Sequence, residues 1–231
     1  MIILALESSA KAASVAVCDN DKLLAQYFQN TGLTHSRTLM AMVQDLLKNI
    51  DMTISDVDGI AVASGPGSFT GIRIGVAAAK GLSFGADKPV CGVSTLEAMA
   101  QHLDASGGII CPVMDARREQ VYNAKFMRDG SRLVRLCDDR ALSIEELISE
   151  AKTDGMPYFL LGDGAEMCYN SFTASGVPVH MAPIPIRMQT AWGVARAASE
   201  KEFSDAGELM PNYIRLSQAE RERLERQDNK L

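Results

Sequence analysis

The chain has 231 residues, of which 47% are hydrophobic and 23% are charged, and its formal net charge is -6. This length and composition are ordinary for a globular protein that builds its own hydrophobic core. The acidic balance argues against a dedicated nucleic-acid binder, which needs a basic surface, so any contact with RNA is expected to be indirect or shared with a partner.

The five cysteines are odd in number and include no CxxC pair, which predicts free thiols in a reducing compartment rather than disulfides or a zinc site. They are Cys18, Cys91, Cys111, Cys137 and Cys168. The apolar start of the chain lacks a basic flank, so it does not predict a signal peptide. No apolar run approaches the about 20 residues of a membrane span, and the predicted location is the cytosol.

The first half of the chain predicts strands and helices that alternate after an opening hairpin. Its predicted strands are residues 2–6, 13–18, 23–28, 59–64 and 88–93. Helices are predicted at 35–50, from the SGPGSFTGIRIG stretch to residue 85, and at 94–103, where Ser94 and Glu97 form a capping-box pattern. The apolar stripe of the helix at 35–50 spans roughly 160° of its circumference, wide enough to serve two neighbours.

The second half begins with the same order of elements: strand, acidic turn, strand, hairpin and strand. Strands are predicted at 108–115, 118–127, 132–137 and from 158, and helices at 143–152, up to 175 and at 190–203. Small residues at 105–108 suggest a hinge between the halves. Two halves with one order of elements predict duplicated α/β units with mixed sheets.

The glycine-rich stretch at residues 64–75 fails the templates of a phosphate-binding loop. Gly71 is followed by Ile72 and Arg73 rather than by Lys and Ser/Thr, and its glycines follow a GxGxxxG spacing, one residue longer than the dinucleotide fingerprint. A simple anion site at the helix start stays open as an alternative.

Glycines also recur along the helix that follows, and a glycine in a helix costs about 0.5–1 kcal/mol relative to alanine unless a close contact compensates. Gly67, Gly71, Gly75 and Ala79 are spaced four residues apart. Such a bare face lets another helix approach closely. Two interpretations follow: packing within this chain, or a docking face for a second protein.

Acidic turns follow the first strand of each half, at Glu7-Ser8 and at Asp115. In actin-like ATPases such turns face a nucleotide, but a turn carboxylate that bonds local N–H groups is the simpler interpretation. The three histidines show no HExxH or HxxxH spacing, so no histidine-ligated metal site is predicted.

Four runs together resemble the TsaB (YeaZ) family. They are LESSAKAASVAV at 6–17, SGPGSFTGIRIG at 64–75, PVCGVSTLEAMA at 89–100 and MDARREQVY at 114–122. The similarity is strong over residues 1–125 and afterwards rests on GDGA at 162–165 and PNYIR at 211–215.

The resemblance implies two actin-like ATPase (ASKHA, RNase H-like) domains with mixed sheets flanked by helices. The domains are expected at 1–105 and 106–216, followed by a charged tail at 217–231. It implies a non-catalytic subunit of the system that makes N6-threonylcarbamoyladenosine (t6A) in tRNAs that read codons starting with A. The implied partners are the paralogue TsaD, which carries the active site, the ATPase TsaE, and functionally TsaC, with tRNA reached through the complex.

The resemblance also places the partner interface on the helices at 35–50 and 69–85, which pair with the same helices of TsaD or of a second copy in a homodimer. The interface residues expected from it are His35, Leu39, Met42, Val43, Leu46, Phe69, Gly71, Ile72, Arg73, Gly75, Val76 and Ala79. On this hypothesis the glycine face lies against the foreign helix, and Gly75→Arg should abolish the TsaD complex while leaving the fold intact.

TsaD holds its metal with two histidines four residues apart, and the matching positions here are Thr95 and Met99, which cannot replace two imidazoles. No metal and no required cofactor are therefore expected, with ATP or ADP considered only at the partner interface. The candidate nucleotide contacts are Glu7, Ser8, Asp115, Gly162 and Gly164. TsaB usually carries Asp at the first turn, and the longer Glu7 side chain weakens that assignment.

Two alternatives from other classes stay open. One is an ATP-dependent phosphotransferase of actin-like fold that uses Asp115 as its base. The other is a glycoprotease-like peptidase, which would require metal ligands that the sequence does not supply.

Overall fold

The computed structural model of the protein describes residues 1–105 and 107–215. The charged tail predicted at 217–231 lies outside the described residues, and the predicted hinge at 105–108 includes residue 106, which is also outside them. No helix among the described residues has the length and apolar character needed to cross a bilayer.

The first sheet has five strands and is mixed. Its strands are β1 (Ile2–Glu7), β2 (Ala13–Asp19), β3 (Lys22–Gln29), β4 (Gly59–Gly65) and β5 (Val90–Ser94). Their spatial order is β3-β2-β1-β4-β5. The hairpin strands β1, β2 and β3 pair antiparallel, whereas β4 and β5 run parallel to β1.

Both faces of the first sheet are buried, which explains why β1 is an uninterrupted apolar run. Leu4 and Leu6 point into one core and Ile3 and Ala5 into another, as the two-residue period of a strand requires. The first core lies under helices α1 (His35–Asn49) and α2 (Phe69–Ala86).

The second sheet has seven strands and is also mixed. Its strands are β6 (Ile109–Asp115), β7 (Gln120–Asn123), β8 (Phe126–Asp129), β9 (Arg132–Arg135), β10 (Arg140–Ser143), β11 (Tyr158–Leu161) and β12 (Val179–Met181). Their spatial order is β10-β7-β6-β11-β12, with β8 paired to β6 and β9 paired to β8. Helices α4 (Ile144–Asp154) and α5 (Ala165–Ala174) cover one face. Two mixed sheets flanked by helices confirm the predicted ASKHA-type architecture.

Helix α3 (Thr95–Ala100) lies between the two halves. Leu96 and Met99 pack with residues of the second sheet, and Ala98 packs with α7 (Ala191–Ala198). Ser94 caps α3 by accepting a hydrogen bond from the Glu97 N–H, but the Glu97 carboxylate pairs with Arg135 instead of completing the predicted capping box.

The end of the chain, which the resemblance places in the domain expected at 106–216, packs against the first half. After the short helix α6 (Ile184–Arg187), helix α7 packs against the first sheet because its alanines fill the core beside Ile3 and Ala5. Ser204 then pairs with Val90, and Leu209 is buried in the core below α2. Periodicity predicted α7 as a helix but carried no information on which sheet it covers.

Candidate functional site

The glycines of α2 face the protein's own first turn. A Cβ atom on Gly71 would lie 2.1 Å from the Ser8 carbonyl oxygen, and one on Gly75 would lie 2.5 Å from Ser8 Oγ. One on Gly67 would lie 2.3 Å from the Ser9 carbonyl oxygen. The Ser8 hydroxyl donates a hydrogen bond to the Gly71 carbonyl at 2.9 Å, and the Ser68 N–H donates to the Ser9 carbonyl at 2.6 Å. The missing side chains therefore admit the β1–β2 turn.

The hypothesis that these glycines were bared for a foreign helix is therefore wrong: packing within the chain explains Gly71 and Gly75. The interface residues expected from the resemblance divide into two groups. Buried within the chain are Leu39, Met42, Val43, Leu46, Gly71, Ile72, Gly75, Val76 and Ala79. The other three of the twelve, His35, Phe69 and Arg73, are partly or fully exposed. Whether any of the twelve touches a partner stays a prediction.

The opposite side of α2 is open. At 100° per residue, Arg73, Ala77 and Phe84 lie roughly 160–200° from Gly75 on the helix. All three are exposed, and the Phe84 side chain is 68% exposed. A Cβ atom on Gly81 or Gly85 would meet nothing within 4 Å. We call Arg73, Ala77, Gly81 and Phe84 the open face of α2.

Helix α1 packs beside α2 and also has accessible residues. Met40 on α1 is 37% exposed, whereas Leu39 and Leu46 lie in the shared core. His35 begins α1, and its Nε2 lies 2.7 Å from the Ala10 carbonyl oxygen. His35 therefore ties the start of α1 to the β1–β2 turn.

A cleft of about 550 Å³ lies between the two halves. Its walls are the β1–β2 turn, the start of α2, the β6–β7 turn, Asp163 and residues 212–215. Basic groups in the wall are Lys11, Arg117 and Arg215, and acidic groups are Asp115 and Asp163. The wall is thus of mixed charge.

Of the candidate nucleotide contacts, only Asp115 lines this cleft. Its carboxylate accepts a hydrogen bond from the Arg117 N–H at 2.7 Å, as expected of a turn carboxylate. Glu7 and Ser8 are completely buried. Gly162 and Gly164 pack against β6, where a Cβ atom on Gly162 would lie 2.2 Å from the Val113 carbonyl oxygen.

Glu7 is a buried acid with one unsatisfied oxygen. Its Oε1 accepts hydrogen bonds from Ser9 N and Ser9 Oγ, both at 2.6 Å, while Oε2 has no partner. Burial raises the pKa of Glu7 to about 7 against the opposing effect of the Ser9 bonds, and the negative charge of Asp163 adds to the rise. Burial likewise raises the pKa of Asp163, whose carboxylate accepts from Gln189.

Residues 209–215, which we call the C-terminal strap, run from the first core to the cleft. The Asn212 N–H donates to the Ser64 carbonyl at 2.7 Å. The Tyr213 ring stacks on Phe69 with centroids 4.8 Å apart, and its hydroxyl accepts a hydrogen bond from Arg73 Nε at 2.8 Å. Arg215 Nη1 donates to the Ala116 carbonyl across the cleft at 3.3 Å.

Sequence reasoning missed the contact between Tyr213 and Arg73 and the exposure of Phe84. Tyr213 lies 140 residues from Arg73, so no local pattern links them. Phe84 did carry a signal, because it is a large aromatic side chain among the small residues of GLSFGA.

The positions that match the TsaD histidines are both in the interior. Thr95 and Met99 are 0% and 1% exposed, and Met99 packs in the core between the halves. Within residues 1–105 and 107–215, no group of three or more His, Cys, Asp or Glu side chains is arranged to hold a metal ion.

Comparison with known proteins gives consistent matches. A profile of the TsaD family, described as tRNA N6-adenosine threonylcarbamoyltransferase, matches residues 28–221. The TsaB protein of Bacillus subtilis (strain 168) is 32% identical over 98% of this chain and 100% of its own length. The TsaB protein of Escherichia coli (strain K12) is 36% identical over 65% of each chain.

Among solved structures, a protein from Pseudomonas aeruginosa described as similar to peptidase YEAZ matches with a TM-score of 0.77. It is 25% identical, and the alignment covers 93% of this chain and 99% of that one.

Proposed function

The chain belongs to the TsaB family of tRNA threonylcarbamoyladenosine biosynthesis proteins, and on that premise we propose that it is a non-catalytic subunit that docks on TsaD and activates it. TsaD would then transfer the threonylcarbamoyl group to N6 of the adenosine that lies 3′ of the anticodon in tRNAs reading ANN codons.

The observation that carries this proposal is the open face of α2. Exposed aromatic side chains beside small residues are common at protein interfaces. The aromatic side chain acts as an anchor, and the small residues allow the backbone of the partner to approach closely. Phe84 is 68% exposed, and the small residues Ala77 and Gly81 are exposed on the same face. The docking face thus lies on the side of α2 away from Gly71 and Gly75.

The interior of α3 supports the absence of catalysis in this chain. The two TsaD histidine positions hold Thr95 and Met99, and both side chains are buried rather than directed into the cleft. A threonine hydroxyl and a thioether are poor substitutes for two imidazoles at a hard or borderline metal. The chemistry therefore belongs to the partner.

The chain is proposed to act within a larger complex. TsaE binds the TsaB–TsaD pair, TsaC supplies the activated threonylcarbamoyl group, and tRNA is reached through the complex in the cytoplasm. Without TsaD, the same face joins two copies of this chain. The chain itself requires no cofactor, and any ATP or ADP belongs at the joint interface.

Reconstitution tests the function directly. We expect t6A formation on tRNA by TsaC, TsaD and TsaE to require this chain, and to be lost with Phe84→Asp. Leu136→Asp is the matched control, because Leu136 is 45% exposed in the second half, away from α2. Full activity without the chain would refute the proposal.

A further inference from the structure

We infer that Arg73 is the polar anchor of the open face, that it binds a carboxylate on the facing helix of the partner, and that Tyr213 of the strap holds it in position. This inference rests on the proposed function, because it assigns the chemistry of one contact within the same docking surface.

Two side chains, Phe69 and Tyr213, hold Arg73 in place. Its guanidinium carbon lies 3.8 Å from the centre of the Phe69 ring, and Tyr213 stacks on that ring with an interplanar angle of 26°. The Tyr213 hydroxyl accepts the Nε hydrogen of Arg73 at 2.8 Å. A guanidinium fixed by stacking and by Nε loses less conformational freedom when it binds a further group.

The two Nη groups of Arg73 make no hydrogen bond to any residue that the structure describes. Among residues 1–105 and 107–215, Arg73 makes a hydrogen bond only through Nε and forms no ion pair. Because Nε is already used, an incoming anion must be met by the outer Nη edge, which presents two parallel N–H donors. That edge matches the two oxygens of a carboxylate.

Arg73 and Phe84 mark the two ends of the open face. They are eleven residues apart on α2, or about 16 Å along the helix axis, with Ala77 and Gly81 between them. A partner helix lying along Ala77 and Gly81 would pack on Phe84 at one end and place an acidic residue against Arg73 at the other. The protein carries a net charge of -6, and a cation with no ion-pair partner among the described residues gives an acidic side chain of the partner a local site of attraction on an otherwise acidic molecule.

Titration of TsaD with charge-matched variants tests the contact. Charge-assisted hydrogen bonds predict that Arg73→Gln weakens TsaD binding by about 10- to 150-fold. Arg73→Lys retains the charge but not the fork and should recover only part of that loss. The matched control is Arg132→Gln, which removes an exposed arginine from the β8–β9 hairpin and should leave the affinity unchanged.

Tyr213→Phe tests the positioning role, since it retains the stack and removes only the hydroxyl. We expect binding to weaken by about two- to fivefold, the scale of one neutral hydrogen bond. In the isolated protein, the Nε–Hε NMR signal of Arg73 should be protected from solvent exchange in the wild type and lose protection in Tyr213→Phe. Equal protection in both proteins would overturn the positioning role.

A failure of the Arg73 contact can be distinguished from a failure of the proposed function. If Phe84→Asp abolishes TsaD binding and Arg73→Gln does not weaken it, the carboxylate contact is wrong and the proposed function stands. If Arg73→Gln lowers t6A formation but not TsaD affinity, Arg73 meets another ligand and the inference fails. If the wild type does not bind TsaD, the proposed function fails together with this contact.

Discussion

The claim that α2 seals its glycine face against its own chain predicts opposite effects of one substitution at two positions of the helix. In Gly71→Ala, the new Cβ would lie 2.1 Å from the Ser8 carbonyl oxygen, so helix and turn must separate by about 1 Å. Such overpacking costs about 1–3 kcal/mol, and the helix propensity of alanine returns about 0.5–1 kcal/mol.

We therefore expect Gly71→Ala to lower the free energy of unfolding by about 1 kcal/mol, which corresponds to a fall in Tm of about 2–4 °C for a chain of this size. Gly81→Ala is the matched control, because a Cβ atom there meets nothing within 4 Å. It should stabilise the protein by about 0.5–1 kcal/mol through helix propensity alone.

Urea and thermal unfolding, followed by circular dichroism, measure both changes, with the urea m-value showing whether the unfolded reference is the same. If Gly71→Ala matches or exceeds the stability of Gly81→Ala, the β1–β2 turn does not seal this face. The same reasoning predicts that Gly75→Arg disrupts folding rather than docking alone.

Three further predictions concern the titratable groups. Burial raises the pKa of Glu7 from 4.5 to about 7, so ionising it above pH 7 destabilises the folded state. The wild type should therefore lose up to about 3 kcal/mol of unfolding free energy as the pH rises from 5 to 8, whereas Glu7→Gln should not. Parallel curves of stability against pH for the two proteins would contradict this. Burial raises the pKa of Cys18 to about 11 and of Cys168 to about 12, so both should alkylate at pH 8 at least about tenfold more slowly than in the unfolded chain, as peptide mass spectrometry can test. The purified chain should release no phosphate from ATP above the Asp115→Ala background, and turnover that depends on Asp115 would favour a phosphotransferase.

The sequence predicted those elements whose signals are local. The apolar stripe of α1 predicted residues 35–50, and the helix is His35–Asn49. Ser143 and Glu146 form the reciprocal capping box at α4. The short strands β10 and β12 went unpredicted, and the single strand expected at 118–127 is divided into β7 and β8. Strands of three or four residues carry too few alternations to be recognised.

The site was predicted less completely because its contacts are not local. Glycine spacing showed that side chains are missing from one face of α2, but not that Ser8, 63 residues earlier, fills that space. The same spacing gave no information on the open face, where Phe84 lies. Likewise, no residue near Arg73 in the sequence predicts its contact with Tyr213.

The affinity of TsaD for this chain, compared with its affinity for Phe84→Asp, tests the central claim most directly. Isothermal titration should give a stoichiometric complex with the wild type. The affinity should fall at least about 30-fold with Phe84→Asp, because burying an unpaired carboxylate at an interface costs about 2 kcal/mol or more, which corresponds to that factor. Leu136→Asp should bind like the wild type. Binding that survives Phe84→Asp unchanged would contradict the assignment of the open face of α2 as the docking surface.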